Sequence, residues 1–458
     1  MIKIKKANDL SDKILNFLYF IFPITFLIGN GAINTTVLLI VLLGITNYFY
    51  NIISFKDKNV FYLLLAFFLL LGFSTLLEIN GDIKNDQFIK FIKYLRFFLF
   101  FLVTSFFIRM GKFAFKYFLI SSSICVLLLS LDIIFQLING FDIFGYEAYK
   151  NSKYHLSGFL GDELNAGGFI QKFGLFIIIF LPLFFNNKSN KNYVVTIILI
   201  ITIFSGIFYS GNRMPLVMFI FSLLLISIIV KHLRLKILIS ILLCSFIFFI
   251  TLKTQENIRV YYKSFYQNAF GVITKINNYA FKEYPELKEG TNFVDTLFKT
   301  GNVDMERKSK YGGQSFGSGH LALYSTAMDL WSDDPVIGSG IKSFRKKCQS
   351  KLHLPNRICE SHPHNYYLEL LTDTGVAGLF IFISFVIIIM RDNFIKIKSL
   401  RNRDKLLFLT ITTILITEIF PIKSSGGFFS TYNSAYLFFI LAMLNGIKNH
   451  SLIKKGLK

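Results

Sequence analysis

Two histidines flank a proline in Ser361-His362-Pro363-His364-Asn365-Tyr366-Tyr367-Leu368-Glu369, immediately ahead of a long apolar run. Where polar chain meets hydrophobic chain, a pair like this is a poor candidate for packing. A neutral imidazole, with an ordinary pKa of about 6.5, can take a proton from a hydroxyl at neutral pH. The plainer alternative is a helix cap carrying solvated histidines. A structural metal would need ligands at spacings that the neighbouring polar segment lacks, so no metal is expected. Arg213 is the second candidate, in the very short turn Ser210-Gly211-Asn212-Arg213-Met214-Pro215 between two apolar runs. It is either an anchor or a forked ligand for the paired oxygens of a pyrophosphate. Asn212 and Pro215 suit a helix start there, and the free amides of such a start also favour an anion.

Further along the list of charged groups, Lys90, Lys93 and Arg96 recur at helical spacing. They read either as a snorkelling basic stripe or as a face that meets lipid phosphate. Asp132 and Glu418 interrupt apolar runs, and acids in such surroundings are functional candidates by default. Arg213 or Lys423 could partner them, or they could hold loops.

The elements that must position these groups are membrane helices. The chain has 458 residues, 53% of them hydrophobic and 17% aromatic, too apolar for an ordinary soluble protein. About twelve runs are long enough to cross a bilayer as helices. The first is followed by no cleavage site or polar mature region, and reads as a retained helix rather than a signal peptide. The expected fold is an all-α polytopic membrane protein. Residues 1–252 would carry helices 1 to 9, residues 253–365 one large periplasmic loop, and residues 366–458 helices 10 to 12 and a cytoplasmic tail.

The net charge of +22 falls mainly on alternate connections, including Lys3, Lys5 and Lys6, the group Arg109, Lys112 and Lys116, and the run from Arg391 to Lys405. That alternation places both termini in the cytoplasm and removes any need to invoke nucleic acid. The expected location is the bacterial inner membrane, with chemistry on the periplasmic side. Cys348 and Cys359 then share an outer loop and are expected to form a disulfide, whereas Cys125 and Cys244 read as small buried hydrophobes. Within that loop, His320 to Trp331 has helical periodicity, with Leu321, Tyr324, Ala327, Met328 and Trp331 on one face. Gly312, Gly313, Gly317 and Gly319 make the preceding segment the one expected to be least ordered.

The stretch from Pro335 to Phe380, with Pro335-Val336-Ile337-Gly338-Ser339-Gly340 and HPHNYYLELLTDTGVAGLF, resembles the O-antigen ligase and polymerase family of bacterial membrane glycosyltransferases. The likeness rests on His364, Asn365, Asp373, Gly375 and Gly378, on the turn at Arg213, and on Phe159-Leu160-Gly161-Asp162-Glu163-Leu164. It implies a GT-C-like fold and transfer of a glycan from undecaprenyl pyrophosphate to a hydroxyl of lipid A-core or of another glycan, without cofactor or metal. By the same resemblance Arg213 holds pyrophosphate, His364 orients or deprotonates the acceptor, and His362 supports it; Asn365 and Gly375 are structural. Many members have an arginine where this chain has Ser318-Gly319-His320. The second cation is therefore sought in His320, Arg345 or Arg357, with Arg96 as a further phosphate ligand. A single displacement would invert the anomeric centre without the paired carboxylates of glycoside hydrolases. Ligase is the leading expectation, polymerase the alternative. A transporter should show internal repeats and midplane charges, and no repeat is present. Arg213 and His364 are expected within roughly 15 Å of each other across one cleft, because both must serve one anomeric carbon.

Overall fold

A computed structural model describes residues 2–53, 57–77, 83–149, 154–161, 163, 165–184, 190–263, 319–354, 357–397, 402–424 and 426–447. Backbone amides in hydrocarbon have no water to bond, so apolar runs satisfy them internally as helices. The first nine are α1 (Ile2–Ile28), α2 (Asn30–Ile53), α3 (Lys58–Leu77), α4 (Ile83–Arg109), α5 (Phe115–Asn139), α6 (Ala166–Phe184), α7 (Asn190–Tyr209), α8 (Arg213–Ile229) and α9 (Arg234–Thr254). A further helical stretch covers 256–263. Two short helices, α10 (Gly319–Asp333) and α11 (Phe344–Lys347), precede α12 (Tyr366–Lys396), α13 (Asn402–Glu418) and α14 (Thr431–Ile447). Among the described residues there is no β-strand, only an isolated bridge between Phe141 and Glu147.

All twelve apolar runs are thus helical. Among the described residues seven helices, α1 to α5 with α9 and α12, are individually long and apolar enough to cross a membrane, and α6, α7 and α8 hold shorter apolar stretches. The protein is a polytopic α-helical membrane protein. The glycine-crowded segment before Gly319 lies outside the described residues.

The centre of the bundle is α14, buried continuously from Asn433 to Ile447 and packed mainly on α4. The rings of Tyr19, Phe22, Phe100, Phe113 and Phe118 meet Phe439 at centroid distances between 4.9 and 6.4 Å. Large apolar side chains such as Phe17, Leu69, Ile228 and Leu242 face outward instead. In a bilayer those outward residues lose nothing, and dispersion between close-fitting rings carries the association of helices.

Between α9 and α12 the chain builds a small separate core from Leu323, Ala327, Leu330, Phe344 and Cys348. The buried stripe of α10 is Leu323, Thr326, Ala327 and Leu330, while Met328 is exposed. The face expected from the sequence is therefore rotated, because α10 packs mainly on α12, through residues such as Leu368, with α11 and the 357–359 strap beside it. Thr326 fixes that strap, exchanging hydrogen bonds with Ile358 at 3.0 and 3.2 Å. Cys348 and Cys359 are joined, with 5.1 Å between their Cα atoms.

Pro335 to Gly340 runs alongside a break in α12. The amides of Ser339 and Gly340 donate to the carbonyls of Thr372 and Asp373, and those of Val376 and Ala377 donate back to Pro335 and Val336. The Asp373 carboxylate accepts from the Lys342 and Ser343 amides at 2.6 and 3.1 Å and from the Ser343 hydroxyl at 2.6 Å. This close approach needs Gly375 at φ 63°, where an added Cβ would lie 2.2 Å from the Val336 carbonyl oxygen. Gly375→Ala should therefore lower stability by at least the cost of a strained backbone, on the order of 1–3 kcal/mol. Thermal unfolding in detergent measures it. An unchanged midpoint would show that the break in α12 is not held by this contact.

Candidate functional site

The site is assembled at the start of α12. Asn365 caps that helix, its Oδ1 accepting from the amides of Tyr367 and Leu368 at 3.0 and 3.2 Å. Its Nδ2 donates to the Pro421 carbonyl at 2.7 Å, so one side chain ties the helix start to the segment after α13. His364, just before the cap, sits at φ 55°, a left-handed conformation that a non-glycine residue adopts at a cost. Its Nε2 lies 3.1 Å from the Glu360 carboxylate. Its ring centroid is 4.2 Å from that of His362 and 5.3 Å from that of His320.

These imidazoles differ in character. His362 Nδ1 contacts the Ser361 hydroxyl at 2.7 Å. Its Nε2 is buried without a hydrogen-bond partner. Burial, and secondarily the neighbouring His364, push the His362 pKa down to about 4. His320 is also lowered, first by burial and then by His364.

Arg213 opens α8 with its guanidinium over the Tyr261 ring, 4.0 Å from the centroid. Tyr261 donates to the Gly211 carbonyl at 2.9 Å and stacks on Tyr154 at 4.8 Å. His155 completes the clamp, with Nδ1 3.1 Å from the Ser210 carbonyl oxygen and Nε2 3.2 Å from the Tyr261 hydroxyl. Asn212 stands just ahead of α8, as the sequence suggested, and its carbonyl accepts from the Leu216 amide; its side chain makes no capping bond and accepts from the Gly167 amide at 2.8 Å, at the start of α6.

Arg213, His320, His362 and His364 line one cavity of about 640 Å³, together with Lys172, Tyr366 and Lys423. Arg96 and Arg345, expected as phosphate ligands, are not in its wall. Arg96 lies over the Phe97 ring at 4.4 Å and donates to the Thr431 hydroxyl at 3.2 Å. Together with Lys90 and Arg345 it surrounds Lys342, whose pKa falls through burial and the repulsion of these charges. Arg345 is exposed on α11, turned out by the buried Phe344 beside it. Arg357 is engaged with Asp329 through a forked ion pair. The expected cation set thus divides between the cavity and a separate basic patch.

Asp132 and Glu418 also part ways. Asp132 accepts from the Ile143 amide at 3.0 Å and so supports the loop after α5. Glu418 binds Lys172 and, at 2.8 Å, Lys423. Sequence reasoning passed over Lys172 and Glu360. A lone lysine inside the apolar run of α6, and a glutamate four residues before His364, were the available signals. Among the described residues no group of His, Cys, Asp and Glu is arranged to hold a metal.

Since His362 titrates near 6.5 when exposed and near 4 in place, the unfolded chain binds a proton there that the folded one refuses between those values. Stability should fall as pH drops from about 6.5 towards 4, and His362→Asn should flatten part of that decline. Unfolding midpoints of both proteins across this window decide it; identical pH slopes would remove His362 as the cause.

No curated protein matches the chain. Residues 197–383, which run from α7 through the Arg213 turn and the histidine cluster into α12, match the family model described as O-antigen ligase, in agreement with the resemblance drawn from the sequence.

Proposed function

We propose that this protein transfers a glycan from undecaprenyl pyrophosphate to a hydroxyl of lipid A-core, in the periplasmic leaflet of the bacterial inner membrane. The observation that carries the reading is the shared cavity of Arg213 and His364. A cation suited to a leaving diphosphate and a base suited to an attacking hydroxyl face one space.

The chemistry is a single displacement. Glu360 holds His364 through Nε2, which leaves Nδ1 as the nitrogen that accepts the proton. The acceptor oxygen bonds to the anomeric carbon as its proton moves to His364, and the bond from that carbon to the pyrophosphate oxygen breaks with inversion. Arg213, stacked and so oriented by Tyr261, takes the charge developing on the diphosphate. A neutral His362 beside His364 adds no competing positive charge at neutral pH. None of these steps draws on a metal or cofactor.

Arg213→Ala should abolish transfer, and Arg213→Lys should recover little of it if the forked geometry matters. His364→Ala should lose transfer while leaving carrier binding intact. Lipopolysaccharide from complemented deletion strains reads the result. Long chains left on the carrier support ligation, and core bearing a single repeat would identify a polymerase instead. Parent-level transfer by both alanine variants would remove the mechanism.

The periplasmic orientation rests on the alternating basic connections. Val336, exposed in the connection between α10 and α11, is a suitable reporter. Val336→Cys should react with an impermeant thiol reagent added to intact spheroplasts. Reaction only after lysis would reverse the orientation.

A further inference from the structure

We propose that Lys172 and Lys423, gathered on Glu418, form a second phosphate-binding pole of the cavity, so that a carrier diphosphate is held between them and Arg213. This rests on the donor reading above and assigns the cation that the likeness to the family leaves open.

The geometry is a built site. Lys172 and Lys423 both line the cavity. Their side chains are 6% and 7% exposed, and that of Glu418 is 1% exposed. One carboxylate oxygen of Glu418 takes Lys172 and also the Tyr366 hydroxyl, which donates at 2.7 Å; the other takes Lys423 at 2.8 Å. The Lys172 ammonium also lies over the Tyr436 ring, 4.5 Å from its centroid. Two lysine side chains therefore share one carboxylate, in a wall that also presents Asn165, Gln171 and Asn433. A buried ion pair is complete with one lysine, and a second cation removed from water is costly unless an anion completes it.

The alternatives for that role are weaker. A departing diphosphate carries more negative charge than one guanidinium neutralises. His320 is engaged with its neighbour His364, whose ring centroid lies 5.3 Å from its own. Arg96 and Arg345 belong to the other patch, and Arg357 is bound to Asp329. Tyr366 is the first residue of α12, so the lysine pole is joined through Glu418 to the helix start that His364 immediately precedes.

The test is binding of a short polyprenyl diphosphate, and of the corresponding monophosphate, to the purified full-length protein in lipid nanodiscs. Lys172→Met and Lys423→Met should each weaken the diphosphate by about tenfold or more, the scale of one charge-assisted hydrogen bond, and affect the monophosphate less. Glu418→Gln should hold or raise diphosphate affinity, because it removes the counter-charge and keeps both lysines. Should one lysine variant fail to fold, the other decides. Equal losses for both ligands in every variant, in step with falling unfolding midpoints, would mean a structural cluster and overturn the proposal. If Arg213→Ala weakens the diphosphate and neither lysine variant does, this pole is wrong and the donor reading stands. If Arg213→Ala leaves diphosphate affinity unchanged, the donor reading fails with it.

Discussion

The cap that Asn365 places on α12 is the contact on which the site depends. Its two faces do different work: one oxygen satisfies the first amides of the helix, and the amide nitrogen reaches the Pro421 carbonyl. The residues on either side inherit fixed positions. His364 is forced to a left-handed backbone just before the cap, and Tyr366 begins the helix with its hydroxyl on Glu418. The bond to Pro421 works beside two others at the same end of α12, the Tyr366 hydroxyl on Glu418 and the Tyr367 hydroxyl on the Ile419 carbonyl. Glu369, one turn further on, repeats the tie by accepting from the Phe428 amide at 2.6 Å. The loop between α13 and α14 is thus held to α12 at two heights.

The distribution of charge follows from that scaffold. Chain connectivity alone would let any basic residue near the boundary serve the cavity. The packing of α12 against α3 and the 335–340 segment separates two groups instead. One contains Arg213, Lys172 and Lys423 in the cavity wall. The other contains Lys90, Arg96, Lys342 and Arg345, gathered near the start of α4 and around α11. Net charge read from composition does not distinguish a focused cationic site from a basic stripe.

Much of this arrangement was legible in the sequence, where the signal is local or dictated by the solvent. Apolar length announced the helices, because hydrocarbon admits no other way to satisfy a lone backbone segment. The His-Pro-His-Asn motif and the short Arg213 turn stood out by their chemistry at a boundary. The structure brings Arg213, His320, His362 and His364 to one cavity and joins Cys348 to Cys359. Long-range packing was not legible. Which face of α10 is buried depends on α12, α11 and the 357–359 strap, and which arginines reach the cavity depends on how α4 and α11 turn. Lys172 was visible as a charge in an apolar run, but only the fold shows Glu418 and Lys423 waiting for it.

The convergence of helix starts on the cavity sharpens what the side chains must do. The opening residues of α6, α8 and α12 lie at or beside its wall, and the partial positive ends of three helix dipoles make it favourable to an anion. Much of the local donor capacity is already spent. Asn365 occupies the first amides of α12, and Asn212 occupies the Gly167 amide of α6. Those ends therefore supply field more than hydrogen bonds. In the proposed reaction, gripping and orienting a diphosphate would fall to groups that can present several donors at once, namely the fork of Arg213 and the ammoniums of Lys172 and Lys423. A carrier entering sideways from the bilayer would meet the field first and the side chains second. The leaving group would then be held in place before an acceptor hydroxyl reaches His364.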